Sequence, residues 1–125
     1  MKFRNIFSHR KSFDNALEVY KKFIVMLEKK QFDSLEKELS SVTDLRIINM
    51  VTNDTFRGHL VGFASDSNKV LKALFLAHAK EIIDQIADIQ FLENVNNTLN
   101  EDAKMDSSNV NQLEDCITSR INQIR

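Results

Sequence analysis

The residues best suited to chemistry lie in one stretch, where His78 is followed by carboxylates at helical spacing. Glu81 comes three residues after His78, and Asp84 and Asp88 follow at later turns. A histidine and carboxylates one turn apart can share a metal ion in the core of a helical bundle. Such a site needs matching ligands on other helices, and the chain has no second Glu-x-x-His or His-x-x-Glu pair. We therefore expect no metal and no cofactor here, and a histidine hydrogen-bonded at the edge of an apolar face.

Other catalytic signatures are missing. The sequence lacks a G-x-S-x-G elbow, a Walker glycine loop, an H-E-x-x-H pair and a glycine-rich dinucleotide turn. Its two glycines, Gly58 and Gly62, are four residues apart, a spacing that in a helix permits close packing on one side. The single cysteine, Cys116, follows Glu114 and Asp115, whose charges disfavour a thiolate. The sequence predicts a protein that is not an enzyme, with an inert, half-buried cysteine.

Charge is distributed unevenly along the chain. Residues 1–30 carry a net charge of +5 and residues 31–125 a net charge of −6. Residues 81–115 contain nine acidic residues and a single basic residue, Lys104, which gives a net charge of −8. Charge separation of this kind bears on partners and association rates, not on the fold. The acids that we expect to bind a partner are Glu81, Asp84, Asp88, Glu93, Glu101 and Asp102.

The basic start, residues 1–11, carries Phe3, Ile6 and Phe7 at helical spacing. It is interpreted as a lead-in, either a short amphipathic helix or a partly ordered arm, ahead of one domain over 12–125. Such a segment could lie on an anionic membrane surface or bind nucleic-acid phosphates. A solvated terminus that tucks its apolar side chains onto the domain is the simpler alternative. Because the rest of the chain is acidic, nucleic acid is the less favoured partner.

The composition indicates that the candidate residues named above are carried by helices. With 42% hydrophobic and 28% charged residues the composition is that of a globular domain, and with two glycines and no proline it favours long helices. The stretch 68–92 is apolar on most of its circumference, which is typical of a helix enclosed by other elements. We therefore predict an all-α, single-domain bundle of about five or six helices around a central long helix at 68–92.

The remaining elements follow from periodicity. A helix capped by Ser12 ends near Lys30, and Phe32, Leu35, Leu39 and Val42 mark a second helix folded back as an αα-hairpin. Residues 44–66 are predicted as two short helices, capped by Ser41 and by Asn53 or Asp54. An α+β fold with a small hairpin at 45–64 is the alternative. Residues 100–109 are predicted as a loop, and the last helix begins near Ser108 or Asn109.

The last helix carries a narrow apolar seam. Its residues are Val110, Leu113, Ile117, Ile121 and Ile124. A seam of this width docks against one groove, either within the chain or on a second copy, so a homo-oligomer is a possible use of it.

Taken together, the charge pattern and the missing catalytic motifs favour a non-enzymatic protein-binding module. The concrete expectation is an immunity protein or antitoxin-like inhibitor, which neutralises a basic protein partner through an acidic surface in 81–115. No apolar run reaches the roughly 18 residues of a membrane span, and one cysteine fits a reducing compartment, so we expect a cytoplasmic protein. The alternative is a peripheral membrane or nucleic-acid adaptor that acts through residues 1–11.

Overall fold

The computed structural model describes residues 2–58, 65–105 and 110–125, with the side chains of 14–57, 66–105 and 110–125. Within these ranges the regular structure is entirely helical. The helices are α1 (Lys2–Glu28), α2 (Phe32–Ser41), α3 (Leu45–Val51), α4 (Asp54–Gly58), α5 (Ser65–Asp84), α6 (Ile89–Met105) and α7 (Glu114–Ile124). The predicted all-α bundle is confirmed, and a hairpin is wrong for residues 45–58, which form α3 and α4. In the described ranges no helix combines the length and the apolar character needed to cross a membrane.

The first two helices form the predicted αα-hairpin. α1 runs unbroken from Lys2, so the predicted helix start at Ser12 is wrong. It ends in a Schellman-type turn, where Lys30 adopts a left-handed φ of 58° and the amide of Gln31 donates to the carbonyl of Met26 at 2.9 Å. α2 then packs back on α1 and buries Leu35. The side chains of residues 2–13 lie outside the described part of the structure. The predicted amphipathic character of the basic segment 1–11 therefore stays a prediction.

The predicted central helix at 68–92 is wrong, because the chain turns between α5 and α6. α5 ends at Asp84, and residues 85–88, here called the elbow, are not helical. α5 is also amphipathic rather than enclosed, since it buries the stripe of Leu71, Phe75, Ala79 and Ile83 and leaves Val70 exposed. The acids of 81–102 therefore lie on two helices and the turn between them.

The elbow is explained by a cap that periodicity cannot reveal. Asp88 precedes α6, and its Oδ1 accepts a hydrogen bond from the amide of Phe91 at 3.2 Å, as an N-cap does. On the other side, the amide of Ile86 donates to the carbonyl of Ile83 at 3.0 Å, which tightens the last turn of α5. The guanidinium of Arg120 on α7 donates to the carbonyl of Ile86 at 2.9 Å and holds the turn in place. Capping thus ends one helix and starts the next without glycine or proline.

α3 is buried along most of its length. It contacts α1, α4, α5 and α6, and Leu45, Ile48, Asn49, Met50 and Val51 are buried. Its cap is Asp44, whose side chain accepts from the amide of Arg46, and not Ser41 as predicted. The next cap, Asn53, is as predicted, since its Oδ1 accepts from the amide of Phe56 at 3.0 Å.

One continuous core joins all seven helices of the described chain. At its centre Phe23 and Phe75 meet edge to face, with ring centroids 4.9 Å apart. α7 adds Ile117 and Ile121, which are buried where α7 packs on α5 and α6.

Two boundaries near the end of the chain differ from the prediction. Residues 100–105 belong to α6 and not to a loop. The last helix begins at Glu114 and not at Ser108 or Asn109.

Candidate functional site

The predicted partner-binding acids are distributed around the elbow. Glu81 and Asp84 lie in the last turns of α5, Asp88 lies in the elbow, and Glu93 lies in the first turns of α6. Glu101 is eight residues further along α6, about 12 Å from Glu93 along the helix axis. All five are exposed. The structure therefore places these acids on the surface, within two consecutive helices and their connection.

Asp102 is the exception and is a correction to the prediction. It is 1% exposed, and its carboxylate binds the guanidinium of Arg46 on α3 in a bidentate pair, with Nε donating to Oδ2 at 2.5 Å. A carboxylate without water needs such a partner to stay charged. Asp102 therefore joins α6 to α3 and does not face a partner.

The remaining acids differ in whether a nearby lysine forms an ion pair with their carboxylate. Asp84 accepts from Lys80 on the same helix at 2.8 Å, whereas Glu101 is 3.8 Å from Lys104. Glu81, Asp88 and Glu93 make no ion pair within the described ranges. We call Glu81, Asp84, Asp88, Glu93 and Glu101 the acidic elbow surface.

An open groove lies between residues 43–46 at the start of α3, residues 82–86 at the end of α5, and residues 91–99 of α6. Its volume is about 700 Å³. Its apolar lining consists of Leu45, Ile82, Ile86, Phe91, Val95 and Leu99. Phe91 is 49% exposed, a large fraction for a phenylalanine, and it lies on the α6 wall of the groove. We refer to this feature as the elbow groove.

The edges of the elbow groove are polar and carry no free cation in the described structure. Thr43, Asp44, Asn94 and Thr98 line it. Arg46 lines it too, but its guanidinium is paired with the carboxylate of Asp102. An approaching ligand therefore meets an apolar floor with acidic and neutral polar edges.

Sequence reasoning missed the elbow groove. The sequence pattern places Ile82, Ile86 and Phe91 in one enclosed helix, in which their side chains would face the core. The signal is present in α6, because Leu92 and Leu99 form its buried stripe whereas Phe91, Val95 and Thr98 form a second stripe at i, i+4 and i+7. That second stripe can be recognised only once the helix boundary at the elbow is known.

His78 has a structural hydrogen bond. Its Nε2 donates to the carbonyl of Val42 at 2.6 Å, which ties α5 to the connection between α2 and α3. The parts of the chain that the structure describes contain no group of three or more side chains placed to hold a metal ion.

Cys116 is half-buried, as predicted. Burial raises the pKa of its thiol above the usual value, and the nearby carboxylate of Asp84 raises this pKa further. The acid that acts on the thiol is thus Asp84 on a neighbouring helix, and not Glu114 or Asp115 as the sequence suggested.

The other candidate residues are only partly within the described structure. Gly58 ends α4, whereas Gly62 lies outside the described residues, so their packing is not described. In the seam of the last helix, Leu113, Ile117 and Ile121 are buried against the same chain, whereas Val110 is 51% exposed and precedes α7. The seam thus docks within the chain, and a homo-oligomer stays a prediction.

Comparison with protein-family models, curated proteins and solved structures found no match to this chain.

Proposed function

We propose that this protein is a non-enzymatic binding module that neutralises a basic protein partner through the acidic elbow surface. The observation that carries the proposal is the exposure of Glu81, Asp88 and Glu93 on either side of the elbow, where none of them forms an ion pair with any described residue. Unpaired surface carboxylates attract a cationic partner, raise the association rate and exclude acidic competitors. The single cysteine fits a role in the cytoplasm.

The concrete form of the proposal is an immunity protein or antitoxin-like inhibitor. A toxin domain that acts on an anionic substrate carries a cationic surface, and a carboxylate-rich module can cover that surface. The buried Arg46–Asp102 pair and the capped elbow support this role, because they fix the helices that carry the exposed acids. A rigid surface loses little conformational entropy when it binds.

The proposal is tested by reversing charge at matched positions. The tagged protein is used to capture its partner from the source cell, and the partner is identified, purified and titrated calorimetrically. One variant carries Glu81→Lys, Glu93→Lys and Glu101→Lys. The control carries Asp14→Lys, Glu28→Lys and Glu36→Lys, three exposed acids on α1 and α2, so that both variants have the same net charge. Asp88 is left unchanged because it caps α6.

We expect a basic partner whose affinity falls at least about tenfold in the first variant and changes little in the control. Equal loss in both variants would mean that only net charge matters, and unchanged binding in the first variant would exclude the acidic elbow surface. For the inhibitor form, expression of the partner alone should arrest growth. Co-expression of the wild-type protein should restore growth, and co-expression of the first variant should not.

A further inference from the structure

The elbow groove is an apolar surface that nothing in the described chain covers. Phe91 is 49% exposed, and Ile82, Ile86 and Val95 are only partly buried. Exposed apolar side chains bordered by polar residues mark sites that bind a protein, a membrane or a ligand. We therefore expect the groove to bind a ligand that carries apolar side chains.

We propose that the elbow groove binds one amphipathic helix of the partner, whose apolar stripe is flanked by lysine or arginine. This inference rests on the proposed function and specifies the part of the basic partner that is recognised. Apolar anchors of the helix lie on the floor of the groove, and its cations lie toward Asp44 and the acidic elbow surface.

The dimensions of the groove fit a short helix. Its α6 wall runs from Phe91 to Leu99, which is about 12 Å of helix. Anchors at i, i+3 or i+4, and i+7 of a bound helix span about 10 Å, so three of them match this wall.

The charges around the groove select a cationic occupant. Asp44 lies on one edge, and Asp88 caps the start of α6, the helix whose Phe91–Leu99 segment forms one wall. Among the described residues that line the groove, the one cation is Arg46, and it is paired with Asp102. A fatty acid, an anionic lipid surface or a nucleic acid would meet carboxylates without a free counter-charge, whereas lysine and arginine would be attracted.

The backbone around the groove favours a helix over an extended peptide. A peptide that binds as a β-strand gains most of its affinity by adding to an exposed strand edge. The residues that line this groove belong to helices and to the connection before α3, and none of them is in a strand. A helix satisfies its own backbone hydrogen bonds and needs only the apolar floor.

The test uses synthetic peptides as probes and fluorescence anisotropy as the readout. The first probe is a helix of about 14 residues with leucine at i, i+3, i+4 and i+7 positions and lysine elsewhere. The second probe replaces every lysine by glutamate, and the third places two prolines in the middle of the lysine peptide to prevent a helix. We expect the first probe to bind at least about tenfold more tightly than either of the others. Equal binding of the helical and the proline-containing lysine peptides would overturn the proposal.

Two matched pairs of variants locate the binding. Asn94→Arg puts a cation in the groove, whereas Asn97→Arg puts the same charge on an exposed position of α6 outside it. Phe91→Ser removes the exposed anchor of the groove, and Val70→Ser removes a similarly exposed apolar side chain from the far part of α5. We expect Asn94→Arg and Phe91→Ser each to weaken binding of the lysine peptide at least about tenfold, and the two controls to change it less than about twofold. Circular dichroism checks that each variant is folded.

The same variants separate this inference from the proposed function. If reversal of Glu81, Glu93 and Glu101 weakens the natural partner while Asn94→Arg and Phe91→Ser do not, the groove is excluded and the acidic elbow surface remains the binding site. If both groove variants weaken the natural partner as they weaken the peptide, the inference is confirmed.

Discussion

Two adjacent residues of α6, Glu101 and Asp102, have opposite environments. The side chain of Glu101 is 69% exposed and 3.8 Å from Lys104, whereas that of Asp102 is 2% exposed and paired with Arg46. In the sequence both are acids in a segment of net charge −8. The spacing of these acids does not indicate which of the two forms an ion pair with a residue on another helix. Arg46 is 56 residues away, and such a long-range contact becomes visible only when the helices are packed.

The Arg46–Asp102 pair predicts a large loss of stability when one partner is removed. Asp102→Asn leaves the guanidinium of Arg46, itself mostly buried, without a counter-charge. We expect the free energy of unfolding to fall by about 3 kcal/mol, measured by urea denaturation. Arg46→Met in the same chain should recover a large part of that loss, since no unpaired charge is then left.

Glu101→Gln is the control for this measurement, because it removes a neighbouring charge from an exposed position. Its effect should stay below about 0.5 kcal/mol. A loss of similar size in both variants would contradict the assignment of Asp102 to the interior.

The thiol of Cys116 provides a second test at the residue scale. Burial and then the charge of Asp84 raise its pKa above the usual value of 9.0. Because the thiolate is the reactive form, alkylation by iodoacetamide at neutral pH should be slower than for a free cysteine, and its rate should still be rising above pH 9.

Asp84→Asn removes the nearby negative charge and should shift the pH profile of alkylation of Cys116 to lower pH. The shift is read from alkylation rates across the pH range, with the fold checked by circular dichroism. A profile that does not move would show that Asp84 is not close enough to act on the thiol.

At the scale of elements, caps and turns decide where the helices end. The sequence allowed the helical class, the α1–α2 hairpin and the Asn53 cap to be predicted, because these depend on local pattern and composition. It did not reveal the elbow, since Ile82, Ile86 and Ile89 follow one another at i, i+4 and i+7 and so stay in helical phase through the turn. The turn is set by the side chain of Asp88, which caps α6, and by the hydrogen bond from Arg120 to Ile86. Asp88 is one of many acids in this segment, so the sequence does not single it out as a cap. The bond from Arg120 joins residues far apart in the sequence.

The turn after α1 yields a prediction of increased stability. Lys30 has a φ of 58°, a left-handed conformation that costs about 1 kcal/mol for a residue with a side chain and little for glycine. Lys30→Gly should raise the free energy of unfolding by about 0.5 to 1 kcal/mol in a thermal or urea melt.

Lys29→Gly is the matched control, because it removes the same charge one residue earlier, where φ is not positive. It should be neutral or destabilising, since glycine adds freedom to the unfolded chain without relieving strain. A stabilisation by both variants would point to charge rather than to backbone conformation.

At the scale of the whole molecule, the bundle is centred on α3 and not on the long apolar stretch. α3 was the ambiguous part of the sequence, a short apolar run that periodicity assigns to a helix or a strand equally well. Its central position follows from contacts with four other helices, which no local pattern encodes. With α3 at the centre, the elbow lies at the periphery, and the acids and apolar side chains around it are left for a partner.

The most direct test of the binding role is the salt dependence of affinity for the captured partner. Titrations from about 50 mM to about 500 mM NaCl change the screening of exposed charges while leaving the packed core intact. If the acidic elbow surface carries recognition, the affinity should fall at least about tenfold over this range, and the Glu81→Lys, Glu93→Lys, Glu101→Lys variant should bind weakly at every concentration. An affinity that stays constant with salt would contradict the account.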